Sequence, residues 1–257
     1  MKYHRSLYAL LLAASGIVTP ALQADDGFAA QTYKPADANS INYRIHTPEG
    51  MDAKASYPLV LFLHGAGERG DDNSSQLLHG ARAILAYSIK NNQPVIIVVP
   101  QCPPNQQWVD APWGADSHTM SKDPAPPMRR VIELLNVTLA KLPVDKARVY
   151  VTGLSMGGFG TWDLIQRLPT RFAAAMPVCG GGDTQLAKAI KEVPIWAFHG
   201  GNDTIVMTQR SRAMIAALKE AGGKPSYTEY PGVDHNAWTQ TYADDAVLKW
   251  LFDQLRH

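Results

Sequence analysis

Gly153-Leu154-Ser155-Met156-Gly157 is the stretch on which the reading of this chain turns. It follows the apolar run Val149-Tyr150-Val151-Thr152 and opens a segment predicted to be helical. A serine set between glycines at a sharp strand-to-helix turn is presented at the tip of the turn. The glycines are needed because side chains at the flanking positions have no room there. Ser155 is therefore a candidate nucleophile, and the next question is what kind of sheet carries it.

Working outward, short apolar runs recur and each is closed by Gly or Pro. They are Leu59–Leu63 before His64-Gly65, Val95–Val99 before Pro100, Ala173–Val178 before Gly180, and Ile195–Phe198 before Gly200. Unbroken runs of this length suit strands covered on both faces. Ser226–Tyr230 and residues 40–46 are further strand candidates, the latter more exposed. Between the runs lie helical patterns. Apolar residues at 128, 131, 132, 135, 139 and 142 share one helix face, and Thr208–Ala221 and Tyr242–Leu255 read the same way. The alternation predicts an α/β fold, with a mostly parallel sheet and helices on both faces.

A serine hydroxyl needs a base, and the base needs a carboxylate to hold its tautomer and stabilise its cation. His235 follows the last predicted strand and precedes the last helix. Asp203, in His199-Gly200-Gly201-Asn202-Asp203, follows the penultimate strand. Asp183, in Cys179-Gly180-Gly181-Gly182-Asp183, is its rival; the order favours Asp203. His64 and His199 each end a strand beside glycine and are assigned to shaping the backbone. Ser155, Asp203 and His235 then follow the Ser–Asp–His order of α/β-hydrolases. The expectation is a single-domain α/β-hydrolase over residues 25–257.

A tetrahedral intermediate also needs preorganised donors for its oxyanion. The backbone N–H of Met156, just after Ser155, is one candidate. The N–H of Ala66 in His64-Gly65-Ala66-Gly67-Glu68-Arg69-Gly70 is the other, since the glycines there let backbone approach a substrate closely. No G-x-x-x-x-G-K-[ST] pattern supports a nucleotide role. Residues 101–127 break the βα rhythm with prolines around Trp108 and Trp113, and a loop of that length in a compact domain is usually functional. Trp108, Trp113 and Trp238 are candidates for lining the substrate site, because aromatic faces suit phenolic and sugar rings. Trp162, Trp196 and Trp250 fall inside regular elements and are expected in the core.

The chain begins with Lys2 and Arg5, an apolar run from Leu7 to Val18, and Ala21-Leu22-Gln23-Ala24. That order is that of a signal peptide, predicted as residues 1–24, and the run is short for a membrane span. The product is then expected outside the cytoplasm and free of the membrane after cleavage. Removal of Lys2 and Arg5 leaves 22 Lys and Arg against 23 Asp and Glu. A near-neutral chain without a long basic run is an unsuitable nucleic-acid partner. Cys102 and Cys179 are too few for a disulfide framework, and they are expected as free thiols because their strands are not neighbours in the usual strand order of this fold. No Cys/His cluster has the spacing of a structural zinc site.

Together these segments resemble the exported esterases often labelled "predicted peptidase", relatives of carbohydrate esterase family 1, feruloyl esterases and polyhydroxybutyrate depolymerases. The carrying residues are His64–Gly70, Pro100–Pro103, Gly153–Gly158, Cys179–Asp183 and the segments of Asp203 and His235, within residues 40–255. The resemblance implies Ser155 as nucleophile, Asp203 as acid and His235 as base, with no metal and no organic cofactor. It implies a serine carboxylic ester hydrolase acting on short-chain or aromatic acyl esters, among them carbohydrate esters of plant polysaccharide. A serine peptidase with the same triad is the alternative, and a non-catalytic carbohydrate-binding protein a third reading.

Overall fold

The structure is a computed structural model, and residues 26–36 and 39–256 of the 257-residue chain are described. The expected leader, residues 1–24, lies outside them. Among the described residues no helix is long and apolar enough to cross a membrane.

Among the described residues eight strands form one sheet in the order β1-β2-β4-β3-β5-β6-β7-β8. They are β1 (Ala29–Tyr33), β2 (Ile41–His46), β3 (Tyr57–Leu63), β4 (Ile96–Pro100), β5 (Val144–Leu154), β6 (Ala174–Val178), β7 (Trp196–Gly200) and β8 (Ser226–Tyr230). β1 and β2 run antiparallel; β4, β3 and β5 through β8 are mutually parallel. Six α-helices among the described residues flank the sheet: α1 (Ala81–Lys90), α2 (Pro126–Lys141), α3 (Met156–Arg167), α4 (Gln209–Glu220), α5 (Trp238–Ala243) and α6 (Asp245–Asp253).

The period of two along a strand divides the core in two. Leu59, Leu61 and Leu63 of β3 pack with Leu134, Leu135, Phe159, Trp162 and Met214 of α2, α3 and α4. Val60 and Phe62, pointing the other way, pack with Ile84, Leu85, Leu248, Leu251 and Phe252 of α1 and α6. Both faces are dry, which is why the parallel strands read as continuous apolar runs. Trp162 is fully buried, while Trp196 and Trp250 are half-buried and meet edge to face, centroids 5.4 Å apart.

Two elements differ from the sequence reading. β1 is an additional edge strand with an exposed, alternating pattern. The single helix expected over Tyr242–Leu255 is two, because Asp244 is extended and its carboxylate accepts the Ala246 N–H, capping a new helix start.

The chain order reverses at β3, with β4 on one side of it and β5 on the other. In open parallel sheets ligands bind outside the carboxyl ends of strands at such a switch point.

Candidate active site

Ser155 sits between β5 and α3 with φ 53° and ψ −117°, a left-handed backbone region that a residue with a side chain enters only when its surroundings force it. The surroundings do force it. A side chain at position 157 would place its Cβ 1.9 Å from the Leu63 carbonyl oxygen of the neighbouring strand, so only glycine fits. The Ser155 N–H is tied to the Val178 carbonyl at the end of β6, 2.9 Å away.

His235, on the turn after β8, places Nε2 2.8 Å from Ser155 Oγ and Nδ1 2.6 Å from Asp203 Oδ2. Three groups spread over 80 residues of sequence are thus joined in one hydrogen-bonded line, the serine hydroxyl donating to the imidazole and the imidazole to the carboxylate. The Asp203 side chain has no exposed surface. Oδ1 accepts from the N–H groups of Ile205 and Val206, at 2.9 and 3.0 Å. Burial works to raise this carboxyl, but the His199 and His235 imidazoles and the Val206 N–H outweigh it and hold it well below the usual carboxylate range.

Asp183 lies elsewhere. Its carboxylate caps the 3₁₀ helix that follows β6 by accepting the Gln185 N–H, and it accepts the Met120 N–H from the long loop. The structure brings Asp203, not Asp183, to His235.

The turn after β3 is held from both sides. The Cys102 N–H donates to His64 Nε2 at 2.9 Å, so the ring proton is on Nδ1, which donates to the Gly65 carbonyl at 2.6 Å. Burial pushes His64 down to about 4 and keeps it neutral. In a trans peptide C=O and N–H point in opposite directions, so fixing the Gly65 carbonyl toward His64 turns the Ala66 N–H away from it. The turn abuts the nucleophile: a Cβ at Gly65 would stand 3.6 Å from Ser155 Cβ. Ala66 begins a 3₁₀ turn and Met156 begins α3, and the first N–H groups of helical turns have no partner within the helix.

The three tryptophans part company. Trp108 is fully buried and its indole N–H donates to the His64 carbonyl at 3.0 Å. The expectation that it lines the substrate site is corrected: it is a core residue that supports the turn after β3. Trp113 is half-buried, packed against the core edge beneath the Arg69 guanidinium. Trp238 is half-buried and its ring stands edge-on to His235, centroids 5.2 Å apart. The loop around Trp108 and Trp113 has neither helix nor strand, yet it is anchored. Arg210 donates to the Ala115 carbonyl and contacts His118, and Arg167 donates to the carbonyls of Ser121 and Lys122.

A cleft of about 880 Å³ opens beside the turn after β3. Ser40, Arg69, Asn105, Gln106, Asp110 and Arg129 line it, contributed by the start of β2, the segments that follow β3 and β4, and the first turn of α2. Arg69 links it to the turn by donating to the Ala66 carbonyl, 2.8 Å away. Ser155 and His235 are not part of its lining.

Cys102 and Cys179 are free and buried. Cys179, His199 and Asp203 come within 4.8 Å of one another, close enough for metal ligands, but their atoms are engaged in hydrogen bonds inside the protein. Sequence reasoning missed the position of His199, whose Nε2 is 3.2 Å from Asp203 Oδ2. The four-residue spacing to Asp203 is the one signal that points to it.

Comparison with known proteins agrees with this architecture. The family model described as Phospholipase/Carboxylesterase matches residues 50–245, and the chain belongs to that family. It is 39% identical to a thermostable esterase of known structure, with a TM-score of 0.82, over 90% of this chain and 64% of that one. It is 23% identical to feruloyl esterase B of Thermothelomyces thermophilus, over 84% of this chain and 82% of the relative. It is 23% identical to a bifunctional acetylxylan esterase/xylanase of Neocallimastix patriciarum, over 82% of this chain but only 29% of the relative's length.

Proposed function

We propose that this member of the phospholipase/carboxylesterase family is a serine carboxylic ester hydrolase. The observation that carries the reading is the unbroken line from Asp203 through His235 to Ser155, with separations of 2.6 and 2.8 Å. Ser155 Oγ attacks the ester carbonyl while His235 Nε2 takes its proton, and Asp203 stabilises the imidazolium. The tetrahedral oxygen is received by the N–H groups of Ala66 and Met156. His235 then returns the proton to the leaving alcohol. Water, activated the same way, releases the acyl group from Ser155. No step calls on a metal or an organic cofactor.

The substrates we propose are short-chain or aromatic acyl esters of small molecules or carbohydrates. The names of the relatives, feruloyl and acetylxylan esterases, support the aromatic and acetyl acyl groups. The polar cleft beside the turn after β3 suits a hydroxyl-rich alcohol portion, since amides and arginines match hydroxyl groups better than an alkyl chain. Trp113 and Trp238 serve as apolar walls near the reacting centre. The protein acts outside the cytoplasm after loss of residues 1–24, and residues 25–257 form the catalytic domain. The basic, apolar and small-residue order at the N-terminus supports this.

A panel of acetyl, butyryl, long-chain and feruloyl esters with peptide anilides tests the reading. The acetyl and feruloyl esters are expected to turn over fastest and the anilides slowest. A folded Ser155→Ala protein is expected to lose about 10⁴- to 10⁶-fold in rate and all labelling by a fluorophosphonate. Ester turnover near the wild-type level in that variant sinks the proposal.

A further inference from the structure

A second imidazole reaches the carboxylate that His235 uses. His199, at the end of β7, is completely buried. Its Nε2 faces two acceptors and no donor: the Val206 carbonyl at 2.9 Å and Asp203 Oδ2 at 3.2 Å. That nitrogen must therefore carry the ring proton, because a bare nitrogen there would face two oxygen lone pairs. Its Nδ1 lies 2.7 Å from Ser211 Oγ of α4. The Ser211 hydroxyl also lies 3.0 Å from the Gly180 carbonyl, so it donates to one or the other. Either choice leaves the proton on Nε2.

Resting on the hydrolase reading above, we infer that His199 is a positioning residue for the ester-hydrolysing triad: its one Nε2–H is shared between the Val206 carbonyl and Asp203 Oδ2, and so reaches the same carboxylate oxygen that His235 uses. Two consequences follow. Asp203 is held by four donors, two on each oxygen, so its carboxylate plane is fixed against rotation toward or away from His235. A second donor on Oδ2 also draws off part of the negative charge that would otherwise stabilise the His235 cation. His199 thereby tempers how strongly Asp203 supports the charge that His235 takes up during turnover.

The other titratable groups facing this cluster are few. The Cys179 thiol at the end of β6 contacts the His235 carbonyl and is pushed up to about 12 by burial. Glu229 of β8 is paired with Arg212 of α4 and bonded to the Tyr227 hydroxyl. The Tyr230 hydroxyl is engaged with Thr241. From α5 the neighbour of His235 is the Trp238 ring, which does not titrate. The Cys179 thiol also comes within reach of Asp203, but its proton is directed to the His235 carbonyl, so no second imidazole donor remains when His199 is removed.

The test compares kcat and kcat/KM against pH for wild type, His199→Leu and His199→Gln on p-nitrophenyl acetate. His199→Leu is expected to lower kcat about tenfold with little change in KM. It also moves the acid limb of kcat/KM to higher pH, on the order of half a unit or more, because an unshared carboxylate favours the imidazolium. His199→Gln keeps an N–H donor and is expected to recover most of both effects. A folded Leu variant whose acid limb stays at the wild-type position overturns the inference. A second measurement needs no variant and no turnover. ¹⁵N–¹H correlation of the wild-type histidine rings is expected to show the His199 proton on Nε2, and a bare Nε2 overturns the inference even if His199→Leu does not fold. Fluorophosphonate labelling of wild-type Ser155 separates the two ideas: its absence counts against the hydrolase reading, while the ring spectrum decides on His199.

Discussion

The indole N–H of Trp108 donates to the carbonyl of His64 across 3.0 Å, fastening the proline-rich loop to the turn beside the nucleophile. The two rings also meet edge to face with centroids 5.2 Å apart. A residue from the most irregular segment of the chain is in this way part of the core.

Trp108→Ala is accordingly expected to destabilise the fold by about 3–5 kcal/mol, as large aromatic truncations in a core do. Trp108→Phe keeps most of the volume but strands the His64 carbonyl, at about 1–3 kcal/mol. Denaturant unfolding measures both. If Trp108→Ala unfolds at the wild-type midpoint, the burial assigned to it is wrong.

Asp203→Asn is expected to cut kcat about 10⁴-fold, because the amide presents a donor to His235 Nδ1 and imposes the wrong tautomer. Asp183→Asn still caps its 3₁₀ helix and loses little beyond the bond to Met120, about 1 kcal/mol of stability. Steady-state kinetics of the two variants side by side distinguishes them, and a dead Asp183→Asn protein contradicts the geometry.

The buried neutral His64 makes stability depend on pH. Its value is about 4 in the fold against an ordinary 6.5, so the unfolded chain binds the proton first as pH falls. The associated stability is fully present above about 6.5 and is lost progressively down to about 4, on the order of 3 kcal/mol in all. Asp203 and Asp72, both held well below the usual carboxylate range, lose their contributions at still lower pH. Thermal unfolding from pH 8 to pH 4 should show the decline, and His64→Gln should flatten the part between 6.5 and 4. An equally steep decline in that variant assigns the effect to another group.

Cys102 and Cys179 are both fully buried, and burial pushes both thiols up to about 12. Thiolate, the reactive form, is then scarce at neutral pH. The native protein is expected to react with an aromatic disulfide reagent hardly at all, and the denatured protein to release two equivalents without prior reduction. One equivalent or none from the denatured, unreduced chain means that a thiol is already bonded.

Sequence alone makes the centre of the fold legible and its periphery less so. β3 through β7 announce themselves because both faces are dry, and Gly157 because no other residue clears the Leu63 carbonyl. Ala29–Tyr33 does not, since an edge strand with an exposed alternating face has only five ordinary residues to signal it. The Ser155, Asp203 and His235 positions follow from strand order. The surroundings of Trp108 do not, because its partner His64 lies 44 positions away and is brought by tertiary structure; His199 stands only four residues before Asp203, but that spacing does not say that the turn folds its ring back onto the carboxylate. The restart at Asp244 was readable as an N-cap, but continuous helical spacing across Tyr242–Leu255 hides it.

The reacting side chains hang from the ends of β5, β7 and β8, and β8 stands at the outer edge of the sheet, paired with β7. This makes turnover a clock for assembly. While β3, β4 and β5 are joined and β8 is still adrift, the nucleophile turn can exist without its base. Regained hydrolysis in a refolding experiment therefore times the docking of the last strand.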